Sequence, residues 1–209
     1  MVGGSVLVIV ALVAIYFGLA ERILDRMNMT DRTAILWLAA ILFGSYVNFT
    51  LLGPPNELLV NVGGGIVPVL LAGFIILRAD ERSEKTRAVA GIAITAAVIY
   101  GLIKVVPDEH AGQVVSYLYI FAAIAAVVGY LAGRSRRAAF VSGLMGVWLG
   151  DAIHFAEISI RGIPGRTWIG GAGAFDAIII AGLGAVIIAE VVGEIRERAV
   201  RTDSGGDES

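Results

Sequence analysis

Long apolar runs alternate with short charged connections along this chain, and that alternation limits its fold more than any motif does. Seven runs of 17 or more residues lie at about residues 4–20, 33–52, 58–77, 88–106, 114–132, 138–160 and 169–192. A helix rises about 1.5 Å per residue, so roughly 20 predominantly apolar residues cross a hydrocarbon layer about 30 Å thick. Hydrophobic residues make up 57% of the 209, charged residues 16%, and mean hydropathy is +0.83. A soluble domain carries about 25% charged residues and spreads them along its helix faces. The expected fold is therefore all-α, a polytopic transmembrane bundle of seven spans in the cell membrane, with the lipid bilayer as its surroundings.

The connections after the first, third and fifth runs, with the C-terminal tail, hold thirteen of the sixteen Lys and Arg residues. The other side has only Lys104, Arg161 and Arg166. By the positive-inside rule the richer side faces the cytoplasm, which puts the N-terminus outside and the C-terminus inside. No basic residue precedes the first run, so it reads as a retained span and not as a cleaved signal. Residues 194–209 read as a charged cytoplasmic tail whose last stretch is disordered. Without cysteine the chain has no disulfide, thiolate nucleophile or thiolate metal ligand.

A shift of about 106 residues lays Gly44-Ser45-Tyr46-Val47-Asn48-Phe49 on Gly150-Asp151-Ala152-Ile153-His154-Phe155. Val62-Gly63-Gly64 then falls near Ile169-Gly170-Gly171. Each glycine cluster opens an apolar run containing Ala-Gly, at Ala72-Gly73 and Ala181-Gly182. The implied organisation of the transmembrane domain (residues 1–193) is 3+1+3: repeat one at about 4–77, a linker span at 88–106, and repeat two at about 114–192. An odd linker gives the repeats the same orientation, as in the parallel repeats of several transporter folds. Compositional likeness between Gly-rich helices is the alternative.

Asp151 and Asp176 are the candidate catalytic or coupling residues. A carboxylate at mid-membrane costs roughly 2.5–3.5 kcal/mol on insertion scales, so it faces a protein interior or a water-filled cavity. Span ends place the two carboxylates roughly 13 Å and 10 Å below the outer face, on adjacent antiparallel helices. Close approach suits a proton- or cation-binding site or a two-carboxylate hydrolase, while a hydrogen-bonded pair locking two helices together is the structural alternative. His154, three residues after Asp151, shares its helical face and, with Asp176, makes a divalent-cation site conceivable, though the metal question stays open. Ser45, Asn48 and Asn61 are further candidate substrate- or ion-binding residues at similar depth. Gly63-Gly64-Gly65 followed by Pro68 is a poor helix interior and marks either a broken helix lining a cavity or a kinked span. The small residues at 170–174, and Ser142, Gly146 and Gly150 at four-residue intervals, read first as helix-packing surfaces. Glu190 and Glu194 read as solvated. Arg161 and Arg166, flanking Pro164 near Trp168, either anchor the interface or attract an anion. No phosphate loop, organic cofactor site or nucleic-acid surface is indicated.

On Gly44–Asn48, on Asn61-Val62-Gly63-Gly64-Gly65-Ile66-Val67-Pro68, on Gly150-Asp151 and on Ile169-Gly170-Gly171-Ala172-Gly173-Ala174-Phe175-Asp176, the chain resembles prokaryotic integral membrane proteins of the domain-of-unknown-function family 1614. That resemblance covers most of residues 22–192 and implies a membrane protein without an activity. A looser likeness joins it to intramembrane aspartyl proteases of the presenilin and signal-peptide-peptidase type, which place one Asp on each of two consecutive spans. Here Ala174-Phe175 separates Gly171-Ala172-Gly173 from Asp176, and no Pro-Ala-Leu element follows. Three functions stay open: a carrier for a small solute, ion or proton; a membrane-embedded aspartyl hydrolase; and a structural or assembly protein. Oligomeric state is not legible.

Overall fold

The computed structural model describes residues 29–79, 81–105 and 114–204, together with Phe17, Gly18, Glu21 and Ile23. Residues 4–16 of the first expected span, Arg22, Arg26 and the end of the tail at 205–209 lie outside the described residues. In chain order the elements are α1 (Asp31–Gly44), β1 (Asn48–Leu52), β2 (Asn56–Asn61), a π-helical turn (Val62–Ile66), α2 (Val67–Leu77), α3 (Arg82–Val105), α4 (Val114–Gly133), α5 (Arg136–Ile160), β3 (Gly165–Ile169), a 3₁₀ turn (Gly173–Phe175) and α6 (Ala177–Ser204).

The chain is mostly helical, but not all-α. The two runs expected as spans at 33–52 and 58–77 each change structure part-way. In the first, Ser45 ends α1: its hydroxyl turns back to the Ile41 carbonyl at 2.6 Å, and the chain leaves the helix for β1. In the second, Asn56–Asn61 is a strand, and the helix proper starts at Val67 with Pro68 in its first turn. There the missing proline N–H would lack an intrahelical partner anyway. β1 and β2 form an antiparallel hairpin, with Asn48 opposite Asn61, and β3 adds parallel to β2, with Asn56 opposite Gly165 and Val60 opposite Ile169. The run expected from residue 169 becomes helical only at Ala177. α6 continues through the charged part of the tail to Ser204.

α5 is the central helix and touches α2, α3, α4 and α6. Phe140, Leu144 and Val141 on α5 are fully buried, as are Leu71 on α2, Ile99 on α3 and Ile178 and Val186 on α6. The small stripe Ser142, Gly146 and Gly150 lies on an equally spaced stripe of α3, Gly91, Thr95 and Ile99. A methyl group at Gly91 would meet the Ser142 hydroxyl at 2.1 Å, and one at Gly146 would meet the Thr95 side chain at 2.3 Å. Such backbone proximity replaces the hydrophobic drive that helices lack inside lipid. Among the described residues three helices, α3, α5 and Ala177–Ile195 of α6, are long and apolar enough to cross a membrane, and Val62–Leu77 and Tyr119–Gly133 are shorter apolar segments.

Candidate functional site

The sequence strand, glycine segment, helix occurs twice, and the two copies meet backbone to backbone at their glycines. β2 leads through Gly63–Gly65 into α2, and β3 leads through Gly170–Gly173 into α6. A methyl group at Gly64 would lie 2.3 Å from the Gly170 carbonyl oxygen, and Gly170 has φ +71°, so neither position admits a side chain. The segments matched in sequence at Gly44–Phe49 and Gly150–Phe155 differ locally, since the first exits its helix and the second stays inside α5.

Asn61 holds the first crossing element. Only 1% of it is exposed, and its amide is fully used: Oδ1 accepts from the Gly64 N–H at 2.8 Å, while Nδ2 donates to the Ser45 carbonyl at 2.8 Å, the Val47 carbonyl at 3.2 Å and Asn48 Oδ1 at 2.8 Å. Ser45 joins the two elements, because its Oγ accepts from the Ala174 N–H at 2.9 Å. Ser45, Asn48 and Asn61 are thus brought together, and the bonds they make are to the protein's own chain.

Asp176 was expected on a helix face; it sits instead at the N-cap of α6 and is 6% exposed. Its Oδ1 accepts from the Ile178 N–H and its Oδ2 from the Ala172 N–H, each at 3.1 Å. The positive end of the helix dipole favours a carboxylate there, but among the described residues no cation pairs with it. Asp151 is half-buried on α5, a helix packed against α6, and makes no hydrogen bond or ion pair among the described residues. One turn on, His154 has a buried Nδ1 without a hydrogen-bond partner among the described residues. Among the described residues no three His, Asp or Glu side chains converge as metal ligands, so Asp151, His154 and Asp176 do not form such a set.

Glu157, near the C-terminal end of α5, ties that helix to α3. It accepts from the Tyr100 hydroxyl at 2.6 Å, pairs with Lys104, and pairs with Arg161 at 3.1 Å. The i, i+4 spacings Glu157–Arg161 and Tyr100–Lys104 were the available signal; which faces of α3 and α5 meet was not. Arg166 pairs with Glu57 at 3.5 Å and lies 5.5 Å from the Trp168 ring, so Arg161 and Arg166 both have protein partners. Glu190, expected in solvent, pairs with Arg136.

Apolar helices of spanning length, two of them packed through stripes of small residues, point to a helical membrane protein. The chain belongs to the family described as "Protein of unknown function (DUF1614)", which it matches over residues 25–188. That interval contains both crossing elements, Asp151 and Asp176. No curated protein and no solved structure matches the chain.

Proposed function

We propose that the protein is a carrier for protons, small cations or a small solute in the cell membrane, with Asp151 and Asp176 as its ion-binding carboxylates. The observation that carries this reading is the contrast between them: Asp176 is held by two backbone N–H groups, and Asp151, half-buried on the helix packed against α6, has no partner among the described residues. A proton or cation at Asp151 would relieve the repulsion between two poorly solvated carboxylates. The crossing supports the reading too. Non-helical backbone is tolerated at membrane depth where it is buried in protein or lines a cavity, and discontinuous helices form the ion sites of many carriers. The strand–glycine–helix unit, present in two copies with parallel strands, agrees with repeats related by an axis along the membrane normal.

The test is proton and sodium flux into proteoliposomes loaded with a pH- or sodium-sensitive dye. Asp151→Asn should abolish the flux while leaving the protein folded; flux equal to wild type in that variant would end this reading. A hydrolase draws on the same electrostatic contact but needs both carboxylates on one water. Both Asp176 oxygens already accept backbone N–H bonds, which suits a fixed charge better than a proton donor.

A further inference from the structure

We infer that His154 is a proton shuttle, passing protons between Asp151 and the end of the bundle remote from the basic connections. The inference rests on the carrier reading and names the proton as the ion that Asp151 binds. Asp151, His154 and Glu157 follow one another at three-residue steps on α5, and all three are half-buried. Residues three apart are neighbours on a helix surface, with Cβ atoms about 5–6 Å apart, so a change of rotamer brings each to the next. The series winds around α5. Leu144 lies against Gly182 of α6, and Asp151, two turns further along, continues that side. Glu157 meets Tyr100 and Lys104 on α3. His154 stands between the two ends. Beyond it the series reaches water, since Lys104 and Arg161, which hold Glu157, are exposed. The positive-inside rule places that end of the bundle outside.

A histidine kept only for packing bonds its buried nitrogens. His154 Nδ1 is buried and bonds nothing among the described residues, and the same holds for the Asp151 carboxylate one turn before it. Imidazole takes up and releases protons near neutrality, and in its neutral form one nitrogen donates while the other accepts. A proton arriving on one ring nitrogen leaves from the other to an Asp151 oxygen. The ring ends neutral as the opposite tautomer and resets by turning over. In between it is a cation with a carboxylate one turn away on either side, Asp151 and Glu157, and chains of Asp, Glu and His inside membranes mark proton relays. The elements packed on α5 bring few rival groups. Tyr100 and Lys104 of α3 are held by Glu157, Asp176 is held by backbone N–H groups, and Glu57 and Arg166 of β2 and β3 pair with each other. The described part of α4 has only Tyr119 and Tyr130, α2 has no titratable side chain, and the remaining charges of α3 and α6 lie at the basic end.

The test follows Asp151 by infrared spectroscopy after a rapid drop in pH, on the full chain in detergent, with its carboxyl band identified by loss in Asp151→Asn. In His154→Ala the band should reach its wild-type height about a hundredfold more slowly, the lower end of what a positioned proton-transfer group contributes. Added imidazole should restore most of the lost rate, which a merely structural histidine would not allow. His154→Gln, a polar side chain that carries no proton, should be equally slow and decides the matter if His154→Ala does not fold. Glu57→Gln, an acid outside the series, should keep the wild-type rate. A wild-type rate in either folded His154 variant, or a slow rate in His154→Ala that imidazole leaves unchanged, would overturn the shuttle. The two readings fail apart. Sodium flux without proton flux in proteoliposomes would end the shuttle and leave the carrier, whereas wild-type flux in Asp151→Asn would end the carrier itself.

Discussion

The two glycine segments that cross at Gly64 and Gly170 are held by different chemistry. Asn61, holding the element after β2, places its two amide hydrogens among three acceptors and accepts one hydrogen bond, so a neutral side chain satisfies its whole surroundings. Asp176, at the N-cap after β3, only accepts, and brings a charge that no side chain among the described residues neutralises. Asn and Asp are about equally good helix N-caps. Capping alone therefore does not explain a carboxylate at the second site, where an uncompensated charge adds a desolvation cost that an amide avoids. This difference separates the part of the site that builds the fold from the part available for ion chemistry.

The largest effect expected is at the crossing itself. Gly170→Ala combines an overlap of backbone with backbone and a left-handed residue carrying a side chain, at about 3–4 kcal/mol. It should appear as a protein that fails to elute as one monodisperse species; normal elution and an unchanged melting temperature would mean that the two segments do not touch. Next comes Asn61→Ala, which strands the Gly64 N–H and the Ser45 carbonyl in a buried site, at about 3 kcal/mol. Its melting temperature in detergent should fall by more than that of Asp176→Ala, which loses two bonds and should cost about 2 kcal/mol. If the order were reversed, the charge at Asp176 would be a larger part of the fold than its hydrogen bonds indicate.

The spans were more legible in the sequence than the site. As helices, α4 and α5 lie within two residues of the ends read from the apolar runs, and α3 begins six residues before its run, because charge clusters mark the limits of long apolar segments. The packing stripe on α5 was also visible, since small residues four apart can only mark one face. The sheet was not visible. Residues 48–52 and 56–61 are apolar enough to pass for helix, and their pairing with residues 165–169 is a contact across more than a hundred residues that no local pattern records. Missing β3 misplaced Asp176, read as lying on a helix face when it lies before the helix begins. Asn61 was singled out for its depth; its four partners depend on the hairpin turning at Gly53-Pro54-Pro55 and could not be foreseen from spacing.

The smallest effect on stability is expected from Asp176→Asn, and it is the sharpest probe of the comparison. An asparagine Oδ1 can still accept from the Ile178 N–H, so the cap and helix start persist, while one acceptor and the charge are lost. The melting temperature should move by the equivalent of less than about 1 kcal/mol, well short of the shift in Asp176→Ala. If Asp176 only caps α6, the Asn variant behaves like the wild type in every assay, and the two crossing elements become equivalent in kind. If its charge sets the environment of Asp151, the Asn variant keeps its fold and changes how Asp151 binds protons. The rise in the infrared carboxyl band of Asp151 on acidification would then occur at lower pH than in wild type, because removing a neighbouring anion favours the ionised carboxylate. Asp151→Asn supplies the band assignment by deleting it. An unshifted titration beside an intact fold would leave Asp176 as a cap alone and take the electrostatic half of the carrier reading with it.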